Sequence, residues 1–143
     1  MGKKPAKGSK SGRSRRPRHV LIADDGSKPA ALARAFAVAI AAEVGARLTA
    51  VYVREAVEPP EVAHRKLRAT LAAAAAAGLS CRVVVEPPVG ITNPGRRIIA
   101  AATRSRADLI VVGARGAGIV RKLLGSVSSY VVARAPVSVC VAR

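Results

Sequence analysis

A chain of 143 residues is long enough for one domain with a real hydrophobic core, and it gives no reason to expect a second domain. Half of its residues are hydrophobic, but it has no Trp, one Phe and two Tyr. Side chains that stack on nucleobases are therefore scarce, which disfavours a dedicated single-strand binder or an RNA-recognition sheet. The net charge of +17 is uneven, because residues 1–18 contain eight Lys or Arg and no acidic residue.

The N-terminal residues 1–17 consist mostly of Gly, Ser, Pro, Lys and Arg. Such a segment buries too little apolar surface to offset the entropy lost on ordering, so we predict a disordered basic tail at 1–17 and one domain at 18–143. The tail is interpreted as a flexible, solubilising arm, with salt-sensitive, non-specific nucleic-acid binding as the alternative. No apolar segment follows these charges, and no run approaches the roughly 20 apolar residues that span a bilayer. We therefore expect a cytoplasmic protein without membrane contact.

From His19 onward, short aliphatic runs alternate with segments of helical pattern. The predicted elements in chain order are a strand at 19–24, a helix from Pro29 to about Val44, a strand at 47–53, a helix at 61–77, a strand at 80–86, a helix from Pro94 to about Arg106, a strand at 108–113, a helix from Ser126 to about Ala135 and a strand at 137–142. Continuous apolar strands that alternate with helices predict an α/β fold. Right-handed crossovers make it an open doubly wound sheet of five parallel strands with helices on both faces.

Helix ends and one apolar stripe are also visible in the sequence. Three polar residues are predicted to cap helix N-termini: Ser27, Asn93 and Ser126. On the first helix, which Gly45 is predicted to end, one stripe consists of large apolar side chains: Leu32, Phe36 and Ile40. No metal site is predicted, because His19 and His64 have no acidic or Cys neighbours at ligand spacing, and both are interpreted as structural or surface residues.

Two loops are expected at strand carboxyl ends, where doubly wound folds bind their ligands. The first is Asp24 to Ser27, and the second is the glycine-rich segment from Gly113 to Gly125. The second loop is neither a P-loop nor a dinucleotide fingerprint, since neither consensus string is present. Glycines nevertheless let backbone N–H groups approach an anion, and the Gly125-Ser126 step then opens a helix whose N-terminus favours negative charge. A tight loop that needs glycine for its backbone angles is the alternative interpretation.

The carboxylates of the first loop suggest the other end of the same ligand. A carboxylate beside phosphates would repel them, whereas at a ribose it accepts hydrogen bonds from hydroxyl groups. Asp25 and the glycine loop are therefore predicted to hold the sugar and the phosphates of one nucleotide. Asp25 as a simple helix cap is the alternative. Asp24 adds a second carboxylate, which we expect either to disfavour a triphosphate or to help recruit Mg²⁺ through it.

These residues together resemble the universal stress protein family over about residues 18–143. The resemblance is carried by ADDGS after the first strand, VVGARG after the fourth, and LLGSVSSYVVARAPVSVCVAR at the end of the chain. It implies the strand order 3-2-1-4-5 and a homodimer through the last strand, residues 137–142. In the ATP-binding branch it implies that Asp25 binds the ribose and that Val53 and Val112 line the adenine and sugar. The residues implied to hold the phosphates are Gly113, Gly116, Gly125, Ser126, Val127 and Ser128.

The expected function follows from this resemblance: a small cytoplasmic protein that binds ATP with Mg²⁺ and acts as a stress-response regulator, with at most slow hydrolysis. No dedicated catalytic apparatus is predicted, because the sequence contains no GxSxG string and no arguable Ser/His/Asp constellation. The segment between Gly116 and Gly125 has eight residues where the family signature has nine. This shortening supports the alternative, a family member that does not bind ATP and acts as an interaction module whose basic tail contacts nucleic acid or an acidic partner.

Overall fold

The computed structural model describes Gly2, residues 16–114 and residues 124–143. The elements are β1 His19–Ala23, α1 Ala30–Val44, β2 Arg47–Val53, α2 Glu61–Ala76, β3 Cys81–Glu86, α3 Gly95–Ser105, β4 Leu109–Gly113, α4 Ser126–Arg134 and β5 Ser138–Ala142. Each lies close to its predicted position. Most of the predicted tail, together with Gly116 and Gly118, falls outside the described residues, so the boundary between residues 17 and 18 stays a prediction.

The five strands form one parallel sheet in the order β3-β2-β1-β4-β5, which confirms the predicted fold class and strand order. Alternate residues of each strand point to opposite faces. On β1, Val20 and Ile22 join the cluster under α1 and α2, whereas Leu21 joins the cluster under α3 and α4. Both faces are therefore covered, as the continuous apolar runs predicted. None of the helices within the described ranges is long and apolar enough to cross a bilayer.

Most of the stripe of large apolar residues on α1 does not pack on the sheet, and of its three residues only Ile40 lies against the core. Leu32 is 58% exposed and Phe36 is 42% exposed. The buried face consists mainly of alanines with one valine: Ala30, Ala33, Ala37, Val38 and Ala41. Alanines recur at the same helical spacing as the larger residues, and their small side chains let α1 lie close to β1 and β4. Side-chain size alone therefore does not identify the face of α1 that packs on the sheet.

His19, the first residue of β1, is buried and fully hydrogen-bonded. Its ring Nδ1 lies 3.0 Å from the Ser105 carbonyl oxygen, and its Nε2 lies 2.8 Å from the Thr49 hydroxyl oxygen. The carbonyl can only accept, so Nδ1 carries the proton and Nε2 accepts from Thr49 in the neutral ring. Burial, reinforced by the charge of Arg47, lowers the pKa of His19 below its ordinary value. The structural role predicted for this residue is confirmed.

A pH-dependent stability follows from the burial of His19. Because its pKa is lowered in the folded chain, the unfolded chain binds a proton first as the pH falls below about 6.5. The stabilising contribution is complete above that pH and is lost as the pH falls through it toward the folded-state pKa. We expect the urea midpoint of unfolding to be lower at about pH 5.5 than at about pH 7.5.

The second histidine provides the matched control for this titration. His64 lies exposed on α2. The His19→Gln variant should be less stable at both pH values, but its urea midpoint should fall less between about pH 7.5 and about pH 5.5. In His64→Gln the midpoint should fall as much as in the wild type. An unchanged drop in His19→Gln would contradict the assignment.

Candidate functional site

A cavity of about 580 Å³ opens at the carboxyl ends of β1, β2 and β4. The strand order reverses between β1 and β4, so the loops that leave these two strands diverge and leave a gap between them. The size falls within the roughly 300–1,000 Å³ that is typical of small-molecule sites. The cavity therefore lies where the fold is expected to bind a ligand.

Most of the residues predicted for the site meet at this cavity. Six of them line it: Asp25, Val53, Val112, Gly113, Val127 and Ser128. Gly125 and Ser126 lie next to it along the chain but do not belong to its lining. Gly116 falls in the undescribed stretch 115–123. The two loops singled out in the sequence thus share one space, although their ligand roles stay a prediction.

The floor of the cavity is apolar. Val53, Val112 and Val127 line it, and all three belong to the cluster that packs beneath α3 and α4. Ile98 of α3 adds to the same surface. An apolar floor of this kind suits an apolar ring, and a few polar groups around it would fix the orientation of the ring.

The β1–α1 loop holds Asp25 at the mouth of the cavity. Asp25 is exposed, and its Oδ1 accepts the Ser27 N–H at 2.9 Å, which leaves the carboxylate with further acceptor capacity. Gly26 has φ +74°, and a Cβ on it would lie 3.0 Å from the Lys66 carbonyl oxygen. Only glycine meets both demands without strain, so α2 can approach the loop closely and fix its path.

The start of α4 differs from the prediction. The N-cap is Gly125 in an extended conformation, without a side-chain cap, and Ser126 is the first helical residue. The predicted N-cap role of Ser126 is therefore wrong, because Gly125 already supplies the extended residue and its N–H donates to the Ala114 carbonyl at 2.8 Å. The first intrahelical bond runs from the Ser129 N–H to the Gly125 carbonyl, so the N–H groups of residues 126–128 have no partner within the helix.

Ser128 joins α4 to the end of β4. Its buried hydroxyl donates to the Gly113 carbonyl at 2.6 Å. That bond uses the hydroxyl proton, so toward a ligand Ser128 offers its backbone N–H and an oxygen lone pair. Asn93 strengthens the same corner, because its side-chain amide donates to the Ser126 carbonyl at 3.1 Å while its Oδ1 accepts the Gly95 N–H.

Asp24 lines the cavity and belongs to a buried polar network at its wall. Its side chain is fully buried and forms an ion pair with Arg34, with Nε 3.0 Å from Oδ2. The Thr70 hydroxyl donates to the same oxygen, and the Gly26 N–H donates to Oδ1 at 2.8 Å. The network ties the end of β1 to α1 and α2, and both carboxylate oxygens are engaged. Asp24 is thus neutralised by Arg34 and is poorly placed to act as a Mg²⁺ ligand.

A second cluster lies at the α2 side of the cavity. The buried Tyr52 hydroxyl donates to Glu58, whose other oxygen lies 3.6 Å from Lys66 Nζ. Burial and the bond to Glu58 raise the pKa of Tyr52, and the same bond lowers the pKa of Glu58. Lys66 also lies over the Tyr52 ring, 5.7 Å from its centre. These contacts hold the segment after β2 against α2.

Sequence reasoning missed Arg34, Thr70 and the Tyr52 cluster. The sequence did contain a signal for Thr70, since it is the one polar residue in the buried stripe of α2, which consists of Ala63, Leu67, Thr70 and Ala74. A polar residue at such a position needs a buried partner. Nothing in the spacing pairs it with Asp24, because the contact forms between elements that are distant in sequence. No group of three or more His, Cys, Asp or Glu side chains suited to a metal occurs in the described part of the chain.

Comparison with known proteins agrees with the motifs and the fold. The model of the universal stress protein family matches residues 17–143. The chain belongs to the universal stress protein family. It is 41% identical over 133 residues to a Thermus aquaticus protein named universal stress protein in QAH/OAS sulfhydrylase 3'region, with 87% of this chain and 97% of that relative covered.

Solved structures of universal stress proteins share the fold. One, in complex with cAMP, superposes with a TM-score of 0.72 at 24% identity and covers 90% of this chain and 99% of its own. Another, from Archaeoglobus fulgidus in complex with dAMP, has a TM-score of 0.71 at 21% identity and covers 87% of this chain and 97% of its own. At these identities the likeness concerns the fold.

The buried ion pair generates a stability prediction. Arg34→Met leaves the Asp24 carboxylate without its cation and should lower the free energy of unfolding by about 3–5 kcal/mol. Asp24→Leu combined with Arg34→Met removes both charges and should recover most of that loss, since an apolar replacement of a buried pair is often neutral. Equilibrium unfolding in urea measures the free energy of unfolding of the wild type, the single variant and the double variant.

Arg68→Met is the control, because Arg68 is an exposed arginine on α2, two residues before the buried Thr70. Its effect should stay within about 0.5 kcal/mol. If Arg34→Met costs no more than Arg68→Met, the buried carboxylate does not depend on Arg34.

Proposed function

We propose that this universal stress protein binds an adenine nucleotide, ATP with Mg²⁺, in the cavity at the carboxyl ends of β1, β2 and β4. Its role would be that of a cytoplasmic stress-response regulator with at most slow hydrolysis. The observation that carries the proposal is the meeting of three chemically different surfaces in one cavity. These are the Asp25 carboxylate, the apolar floor and the N-terminus of α4.

Each surface suits one part of a nucleotide. The apolar floor at Val53 and Val112 would pack against the adenine, and Asp25 would accept hydrogen bonds from the ribose hydroxyls. Gly113 and the N–H groups of residues 126–128 would bind phosphate oxygens, where the helix dipole favours negative charge. The adenine-nucleotide complexes of two proteins with the same fold are compatible with this arrangement.

The residues of the cavity fit Mg²⁺ only as an ion that the phosphates of the nucleotide bring with them. Mg²⁺ keeps several waters and often binds through substrate phosphates with one or two carboxylates, and its role would be to neutralise phosphate charge. Asp24 is engaged by Arg34, Thr70 and Gly26. Asp25 and Glu55, both exposed in the cavity lining, keep acceptor capacity, and the proposed partner of Asp25 is the ribose.

Isothermal titration with Mg-ATP tests the proposal. The wild-type chain should release or absorb heat at a single site, and Asp25→Ala should weaken binding about tenfold through the loss of hydrogen bonds to a charged group. Gly113→Val places a branched side chain at the phosphate end and should weaken binding at least about tenfold. Ser126→Ala should weaken it less, because this exposed residue lies outside the cavity lining.

Glu43→Ala is the matched control, since it removes an exposed carboxylate at the end of α1, away from the cavity. It should bind Mg-ATP like the wild type. No heat from the wild-type chain, together with no nucleotide bound to the purified protein, would reject the proposal in favour of the interaction-module alternative.

We also propose that the protein forms a homodimer through β5. This strand is at the edge of the sheet, and its residues are half-buried or exposed. The Ala142 carbonyl accepts the Ala114 N–H, so the backbone groups of Ala142 and Cys140 face β4. Those of Val139 and Val141 then face the open edge, where a second strand can pair with them.

A proline at the open edge tests the dimer. Val139→Pro removes an N–H that faces outward and leaves the ladder to β4 intact, so the variant should be a folded monomer. Val139→Thr keeps the N–H and should remain dimeric. Sedimentation equilibrium gives the mass of each. A dimeric Val139→Pro chain, or a monomeric wild type, would exclude pairing through this edge.

A further inference from the structure

The end of the sheet opposite the cavity carries a surface of exposed arginines. Arg18 precedes β1, Arg47 is the first residue of β2, and Arg82 is the second residue of β3. Arg16 lies beside them, and with Arg18 and Arg47 it lines a depression of about 340 Å³ that Val44 and Gly45 complete. We call Arg16, Arg18, Arg47 and Arg82 the basic end surface.

The sheet fixes the positions of these arginines. The Arg47 N–H donates to the Arg18 carbonyl at 3.0 Å, and the Asp108 carboxylate accepts the N–H groups of Arg18 and His19. Neighbouring strands lie about 4.8 Å apart, so β1, β2 and β3 place the arginines across a width of about 10 Å. Burial is the main cause of the lowered pKa of His19. The charges of Arg47 and Arg82 lower this pKa further, which agrees with both guanidinium groups lying near the ring.

Negative charge is concentrated at the other end of the sheet. Six of the eight acidic residues follow strand carboxyl ends or end a strand there: Asp24, Asp25, Glu55, Glu58, Glu61 and Glu86. The remaining two are Glu43 near the end of α1 and Asp108, whose carboxylate is held by backbone N–H groups. Within residues 16–114 and 124–143, no arginine of the basic end surface forms an ion pair. Its charge is therefore available to an external anion.

We propose that the basic end surface binds the phosphate backbone of double-stranded nucleic acid without sequence preference. Guanidinium groups match phosphate oxygens bidentately, and a row of fixed cations suits a polymer that carries one charge per about 1.7 Å of duplex axis. An acidic protein partner fits less well, because the apolar side chains that line the depression are limited to Pro17 and Val44. A single strand would need aromatic side chains, and none lines the depression.

The sequence that precedes Arg16 adds charge of the same sign. Residues 1–15 contain six Lys or Arg and no acidic residue. This segment is joined covalently to Arg16, beside the fixed arginines. The proposal concerns the fixed arginines and is independent of nucleotide binding at the opposite end.

The test compares two full-length variants with the same change of net charge. One is Arg18→Gln, Arg47→Gln and Arg82→Gln; the control is Arg65→Gln, Arg68→Gln and Arg96→Gln, which removes three exposed arginines from α2 and α3. Fluorescence anisotropy follows binding of a short mixed-sequence duplex DNA over a salt series. The slope of log affinity against log salt should fall by about 3 for the first variant, with at least about tenfold weaker binding at low salt, and should change little for the control.

Three outcomes would overturn the proposal: equal losses in both triple variants, displacement of the duplex by poly-glutamate at equal charge concentration, or equal binding of single-stranded and duplex DNA. If the first triple variant folds poorly, Arg47→Gln and Arg82→Gln made singly should each lower the slope by about 1, and an unchanged slope in both rejects the surface. The same variants should bind Mg-ATP with the wild-type affinity, so the two proposals are tested independently.

Discussion

The reversal of strand order between β1 and β4 is the constraint on which the rest of this structure depends. β2 and β3 extend the sheet on one side of β1, and β4 and β5 extend it on the other. Right-handed crossovers then place α1 and α2 on one face and α3 and α4 on the opposite face. The loops after β1 and β4 diverge above the gap, which brings Asp25 and Gly113 to one cavity although they are far apart in sequence.

The polar contacts around that gap hold its walls rather than fill it. Asp24 uses both carboxylate oxygens to join the end of β1 to α1 and α2, and Ser128 joins α4 to the end of β4. The glycine at position 26 lets α2 approach the same loop. Walls that are already fixed lose little entropy when a ligand binds, so these contacts support the proposed site. The opposite end of the sheet has a smaller depression and presents arginines whose positions the strand register fixes.

Much of the fold could be predicted from the sequence because its strands are continuous apolar runs, and such runs are typical of a parallel sheet buried on both faces. The glycines and Asp25 were recognisable for a related reason, since residues that follow strand carboxyl ends belong to the ligand side of such a fold. The face of α1 was not predictable in this way. Its alanines and its large apolar residues share one helical period, and the close approach of α1 to the sheet selected the alanines.

The sequence by itself determined the order of elements, the parallel sheet, the family and six of the residues that line the cavity, because these depend on local patterns of burial and on short motifs. Only the tertiary structure decided that Asp24 pairs with Arg34 and Thr70, that Gly125 rather than Ser126 caps α4, and that Arg18, Arg47 and Arg82 share one surface. Each of these depends on the distance between side chains from different elements, and strand register and helix packing set that distance. Spacing along the chain carries no record of it.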